Sequence, residues 1–254
     1  MTDKISKALF EYCLRLGDSP LILGQRLGEW CGHGPILEED IALTNIALDL
    51  IGQSRAFLTY AGEIEAKGRT EDDLAFLRNE REFRNLLLTE QPNGDFAQTM
   101  LRQLFVSAFQ YYFYSALKLS KDKTLSALAE KSLKEVSYHL RHSAQWVIRL
   151  GDGTSESKAR LENALDELWK YTGDLFDMDD TDTILIKEGI VPDLNLLRED
   201  WLDKISETFG LASISIPENV FMMSGSRKGK HTEHLGHMLS EMQYLQRAFP
   251  GATW

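Results

Sequence analysis

Apolar residues along this chain recur at intervals of three and four, and runs that alternate with a period of two are almost absent. That spacing predicts a nearly all-helical protein. With Gly, Pro and short polar clusters taken as breaks, helices are predicted at about 3–16, 18–32, 37–67, 71–79, 95–120, 123–150, 155–176, 193–209 and 232–248. Asp18 with Pro20 close behind it, Asp193 after Pro192, and Thr232 before Glu233 are residue types that favour helix N-termini.

The most regular stretch is 37–67. There Leu43, Ile46, Leu50, Gln53, Phe57, Tyr60 and Ile64 fall at alternating steps of three and four, so the stripe must face another helix. Gln53 is the one strongly polar residue on it, and its amide needs a buried partner or water. Segment 95–120 is apolar around most of its circumference, as expected of a helix surrounded by others. Segment 123–150 carries a narrower stripe through Leu125, Leu128, Val136, His139, Trp146 and Leu150. With 18–32 and 37–67, these two segments predict a four-helix bundle made of two long antiparallel pairs.

The bundle would occupy about 18–150, and about 155–254 would add helices around it. No Pro/Gly/Ser-rich linker intervenes, so residues 1–254 are expected to form a single domain. Segment 210–231 reads as the one long loop. Its basic tract Gly225-Ser226-Arg227-Lys228-Gly229-Lys230 reads as solvated surface, with contact to an acidic partner or a CoA phosphate as the alternative.

Composition narrows the classes. With 43% hydrophobic and 26% charged residues the chain has enough apolar surface to fold. A net charge of −11 opposes phosphate binding, so neither nucleic acid nor an anionic membrane is an expected partner. The start, Thr2-Asp3-Lys4, has no signal-peptide pattern and no apolar run reaches about 18 residues, which predicts a cytoplasmic protein. Cys13 and Cys31 are expected as unpaired thiols that pack as small core residues.

Helical bundles can hold two irons with one Glu on each of two helices and Glu-x-x-His on each of the other two, because residues i and i+3 share a helix face. None of the six histidines here has an acid three positions before it. The interior of 95–120 contains no Asp or Glu, which leaves Glu29 as a single bundle carboxylate. The run His231-Thr232-Glu233-His234-Leu235-Gly236-His237 places three imidazoles at i, i+3 and i+6 without a visible fourth ligand, and is read as capping, hydrogen bonding and interface packing rather than a metal site. Glu135 and His139 stand one turn apart and are read as a structural pair. Gly-x-Ser-x-Gly and Gly-rich phosphate loops are missing.

Three segments carry a resemblance. They are Leu14-Arg15-Leu16-Gly17-Asp18 with Gln25-Arg26-Leu27-Gly28-Glu29-Trp30-Cys31-Gly32-His33; Leu86-Leu87-Leu88-Thr89-Glu90-Gln91-Pro92-Asn93-Gly94; and Lys230 to Gly236 continuing through Glu241-Met242-Gln243-Tyr244-Leu245-Gln246-Arg247. In order and spacing the chain resembles the C-subunit family of the multicomponent phenylacetyl-CoA epoxidases, from near residue 10 to the end. The resemblance implies a ferritin-like bundle, itself non-catalytic and without a cofactor, that pairs with a homologous catalytic subunit holding a di-iron centre. It also implies a small accessory subunit and a reductase delivering electrons from NADPH. The catalytic subunit's two Glu-x-x-His motifs would correspond here to Leu50-Ile51-Gly52-Gln53 and Val136-Ser137-Tyr138-His139. Glu29, Leu50, Gln53, Val136 and His139 are thus expected to be degenerate ligand positions that hold no metal. Asp49 and Glu135 lie about 100° round the helix and cannot stand in for the lost acids. Two rivals remain: a ferritin-like oxygenase with an unconventional metal site at His139 or 231–237, and a transient helical assembly factor. The isolated chain is expected to be able to form a homodimer, because surface meant for a partner is apolar.

Overall fold

The computed structural model describes residues 3–252, so Thr2 of the N-terminal reading and both ends of the 1–254 span lie outside the described residues. Among the described residues there are eleven α-helices, four short 3-10 segments and no strand. Contacts divide the chain into two compact units, one of Met1–Pro92, Asp179–Leu185 and Gly225–Trp254, the other of Asn93–Met178 and Ile186–Ser224.

The first unit is built on α1, Asp3–Gly28, and α2, Leu37–Glu65, packed antiparallel. The close approach depends on small residues. A Cβ at Gly24 would sit 3.2 Å from the Ala47 carbonyl oxygen, and one at Gly17 would overlap the Leu58 side chain. Two predicted helices, 3–16 and 18–32, are one here. Pro20 lies inside α1, where it removes one backbone hydrogen bond, but the surrounding buried residues from Gly17 to Gly24 hold the helix through it. Asp18 is therefore no cap. Its buried carboxylate pairs with the Arg78 guanidinium and accepts the Arg84 backbone N–H at 2.8 Å. The helix also stops earlier than expected, at Gly28, which leaves Cys31 exposed while Cys13 is buried.

After α2 come α3, Glu71–Phe76, opened by a Thr70/Asp73 capping box, and the single turn α4, Leu87–Glu90. The predicted 232–248 helix is split at Gln243 into α10, Glu233–Met242, and α11, Tyr244–Ala248. Gln243 is buried because its amide donates to the Ala75 and Arg78 carbonyls, and Arg247 donates to the Arg78 carbonyl at 2.8 Å. These bonds fasten the C-terminal helices to the loop after α3.

The second unit is built on α5, Phe96–Leu117, and α6, Lys123–Gly151, capped by Asp95 and Asp122. They are antiparallel, so Phe96 at the start of α5 meets Trp146 near the end of α6, edge to face at 5.0 Å. α7, Ser155–Leu168, opens on a Thr154/Ser157 capping box and tightens into a 3-10 segment, Trp169–Phe176, where one α-helix was expected. α9, Arg198–Ala212, outlasts its predicted end. Phe105 gathers Trp169, Trp201 and Phe209 around it, and the Trp201 indole donates to the Phe105 carbonyl at 3.0 Å. Two helices were not predicted at all, the single turn α4 and a longer one in the second half of the chain. α8, Asp180–Glu188, buries only Asp182 and Leu185, so its sequence carries almost no apolar period.

Candidate functional site

In the first unit, Leu50 and Gln53 lie one turn apart on the buried face of α2, Leu50 fully enclosed and Gln53 nearly so. Glu29 does not join them on a helix. It sits one residue beyond α1, its backbone N–H still donating to the Gln25 carbonyl at 3.2 Å, and its half-exposed carboxylate accepts from Arg26 Nη1 at 2.9 Å. The expectation of a helical carboxylate there is corrected: the helix ends one residue too soon.

In the second unit, Val136 and His139 are both fully buried on α6. The His139 backbone carbonyl accepts from the Ser143 hydroxyl at 2.8 Å, and the Tyr138 ring stands edge-on to the imidazole with centroids 6.2 Å apart. Glu135 is half-buried. Together with burial, the dominant cause, its charge pushes the Tyr114 phenol well above its ordinary value.

The densest polar constellation in the first unit was not singled out from sequence. Glu90 ends α4 with its side chain wholly enclosed. One carboxylate oxygen accepts the Thr232 backbone N–H at 2.6 Å and the Thr232 hydroxyl at 2.8 Å; the other accepts Asn85 Nδ2 at 2.9 Å and His231 Nδ1 at 2.8 Å. His231 Nε2 faces the Phe83 carbonyl at 3.0 Å. Both ring nitrogens thus lie within hydrogen-bond distance of an oxygen, an arrangement that favours the doubly protonated ring. Burial by itself disfavours that charge, but the hydrogen bond and charge of Glu90, with the Phe83 carbonyl, outweigh it and raise the His231 pKa above its ordinary value. Thr232 is the residue at the N-cap of α10, as predicted, but its hydroxyl serves Glu90 instead of the helix.

A second buried charge group lies in the same unit. Arg15 bridges Asp179 at 2.6 Å and Asp182 at 2.9 Å at the start of α8. Burial would raise the Asp179 carboxyl, yet the Arg15 guanidinium holds it down at about 2. Asp182, the more deeply buried of the pair, is raised. Arg227, in the basic tract read as surface, contributes charge near Asp182.

The run 231–237 does not converge. His231 turns inward to Glu90, while His234 is half-buried and His237 exposed on α10. Among the described residues no three His, Cys, Asp or Glu side chains are placed to share a metal ion. The signal that could have found the real constellation was Glu90 itself, a lone acid separated only by Thr89 from the apolar run Leu86-Leu87-Leu88.

The chain, over residues 1–254, matches the model for phenylacetic acid catabolic proteins, and it belongs to that family. The all-α, ferritin-like class expected from the sequence holds for it. It is 50% identical over 246 residues, 97% of this chain and 99% of the relative, to the C-subunit of the 1,2-phenylacetyl-CoA epoxidase of Escherichia coli (strain K12).

Proposed function

We propose that this chain is the supporting, non-catalytic subunit of a multicomponent phenylacetyl-CoA epoxidase in aerobic phenylacetate breakdown. In this reading it braces a homologous subunit that holds the di-iron centre, and a small accessory subunit and an NADPH-fed reductase complete the assembly. The relative is a subunit of such an epoxidase, which supports the pathway and the existence of partners. The assembly is read as cytoplasmic; among the described residues no helix is long and apolar enough to cross a membrane.

One observation carries the non-catalytic role. Leu50 and Val136, which stand where the family resemblance puts metal-bridging glutamates, are fully buried hydrocarbon. The donor set at these places is an amide and an imidazole, with Glu29 engaged by Arg26 outside the helix. That set does not fit a carboxylate-bridged pair of irons, whose positive charge needs several anionic oxygens. Filling the positions with hydrocarbon also removes the repulsion that clustered buried acids would suffer without a cation.

The test is metal analysis and reconstitution. The purified chain is expected to carry iron far below one equivalent, and the catalytic subunit alone is expected to lose most of its epoxidation rate until this chain is added. Near-stoichiometric coupled iron in this chain, or a full rate without it, overturns the reading.

A further inference from the structure

α2 has two apolar stripes instead of one. The inner stripe through Leu43, Ile46, Leu50, Gln53 and Phe57 is buried. The outer one runs through Leu37, Ile41, Leu48 and Ile51, and the half-buried Thr44 and the Glu71-paired Arg55 complete its steps of four and three. That is the seam spacing of helices that pack knobs into holes along their length. Yet Leu37, Ile41, Leu48 and Ile51 are 72%, 51%, 62% and 38% exposed. We propose that this outer seam is the docking face for a long helix of the catalytic subunit, and the inference rests on the supporting role proposed above.

Three features point to that occupant. The first is area. The four side chains expose roughly 400 Å² of hydrocarbon, close to the apolar share of the ~800 Å² that one partner contributes to a standard stable interface. The second is Gly52, which lies in the helix interior beside Leu48 and Ile51, exposed, with nothing within 4 Å of where its Cβ would be. An interior glycine destabilises a helix by about 1 kcal/mol, and no contact within the chain requires this one; a helix from outside could approach closely there. The third is charge. Beside the seam α2 carries Glu38, Asp40 and Asp49 against the single base Arg55, in a chain of net −11. A second copy would bring the same acidic helix to the contact. A helix with an apolar seam flanked by Lys or Arg fits better, since opposite potentials favour the pairing and like charges oppose it.

The experiment co-expresses the tagged chain with the di-iron subunit of its own complex and measures co-elution on size exclusion and the Kd of the purified pair. Ile41→Glu and Leu48→Glu are each expected to weaken binding by about 100-fold, and Gly52→Leu by about 10-fold. Because these side chains are exposed, the helical circular dichroism and melting temperature of the lone Ile41→Glu and Leu48→Glu variants should stay near wild-type values, and Gly52→Leu should melt slightly higher while still binding more weakly; the Leu48→Ala variant, with no charge introduced, should weaken binding in the same direction. Wild type that binds the di-iron subunit while all the seam variants bind equally well overturns the docking face and leaves the supporting role standing. Wild type that fails to bind the di-iron subunit at all overturns both. A lone-chain dimer that Leu48→Glu splits, with binding to the di-iron subunit unchanged, gives the seam to a second copy and overturns the assignment.

Discussion

Enclosed positions in this protein treat the carboxylate in opposite ways. On the inner faces of α2 and α6, Leu50 and Val136 occupy the places where the family resemblance puts glutamate, and no charge is left to neutralise. At the end of α4, Glu90 keeps its carboxylate fully buried, and the chain surrounds it with four hydrogen-bonding partner atoms from three residues, one of them the His231 imidazole, whose pKa is raised by that carboxylate. The difference teaches what a buried acid requires. It persists where a cation and donors are built into the fold, and it is replaced by hydrocarbon where the cation would have to come from outside.

The largest test reintroduces an acid without its cation. Leu50→Glu is expected to lower stability at pH 7 by about 5 kcal/mol, combining the lost apolar burial with the cost of charging a desolvated carboxyl. The folded-state pKa of the new acid would be raised, so its penalty should shrink as pH falls toward the ordinary carboxyl range. Urea melts at pH 8 and pH 5 measure this; a variant equally stable at both would break the contrast.

Next in size is the removal of the acid that is compensated. Glu90→Gln removes the carboxylate that favours the charged form of the enclosed His231, and a loss of about 3 kcal/mol is expected, or a fall of about 6–12 °C in Tm for a chain of this size. Calorimetry of Glu90→Gln, His231→Gln and the double variant should give a double change much smaller than the sum. Additive effects would mean that the pair is not coupled.

A smaller effect is the pH dependence of wild type. The folded pKa of His231 is raised, so its stabilising contribution is fully present below the ordinary value of 6.5 and disappears as pH climbs through the folded value. Asp179 works in the other direction: held down at about 2, its contribution is present above its ordinary value of 3.8 and is lost as pH falls toward 2. Melts across pH should show the alkaline decline in wild type and not in His231→Gln.

The smallest expected effect sharpens the contrast from the outside. Lys7 and Asp3 pair at 2.7 Å with both side chains largely exposed. Lys7→Ala is expected to shift stability by less than about 0.5 kcal/mol, because water already solvates both charges. A loss as large as that of Glu90→Gln would show that burial does not set the scale.

Much of this protein was legible in its residues. The 3.6-residue period located α2 and α6, because each buries a stripe that leaves a mark at every turn, and α5 was located by an apolar run that is buried almost all round. The missing Glu-x-x-His spacing and the aliphatic residues at 50 and 136 could also be read directly, since helical neighbours are fixed by sequence separation. The outer seam of α2 was written in the same stretch, but sequence cannot say which of two apolar faces the fold will cover.

What only the tertiary structure decided involves partners far apart in the chain. Asp18 and Pro20 have the local chemistry of a helix start, and packing around α1 overrode it by giving Asp18 the guanidinium of Arg78, sixty residues away. Glu29 fell outside the helix assigned to it because α1 ended at Gly28. Glu90 and His231 are separated by 141 residues, and neither has a periodic or motif signal that names the other. Local sequence fixes hydrogen bonds and faces within a few residues, whereas the pairing of buried charges depends on which surfaces meet, and that is determined only once the whole chain has packed.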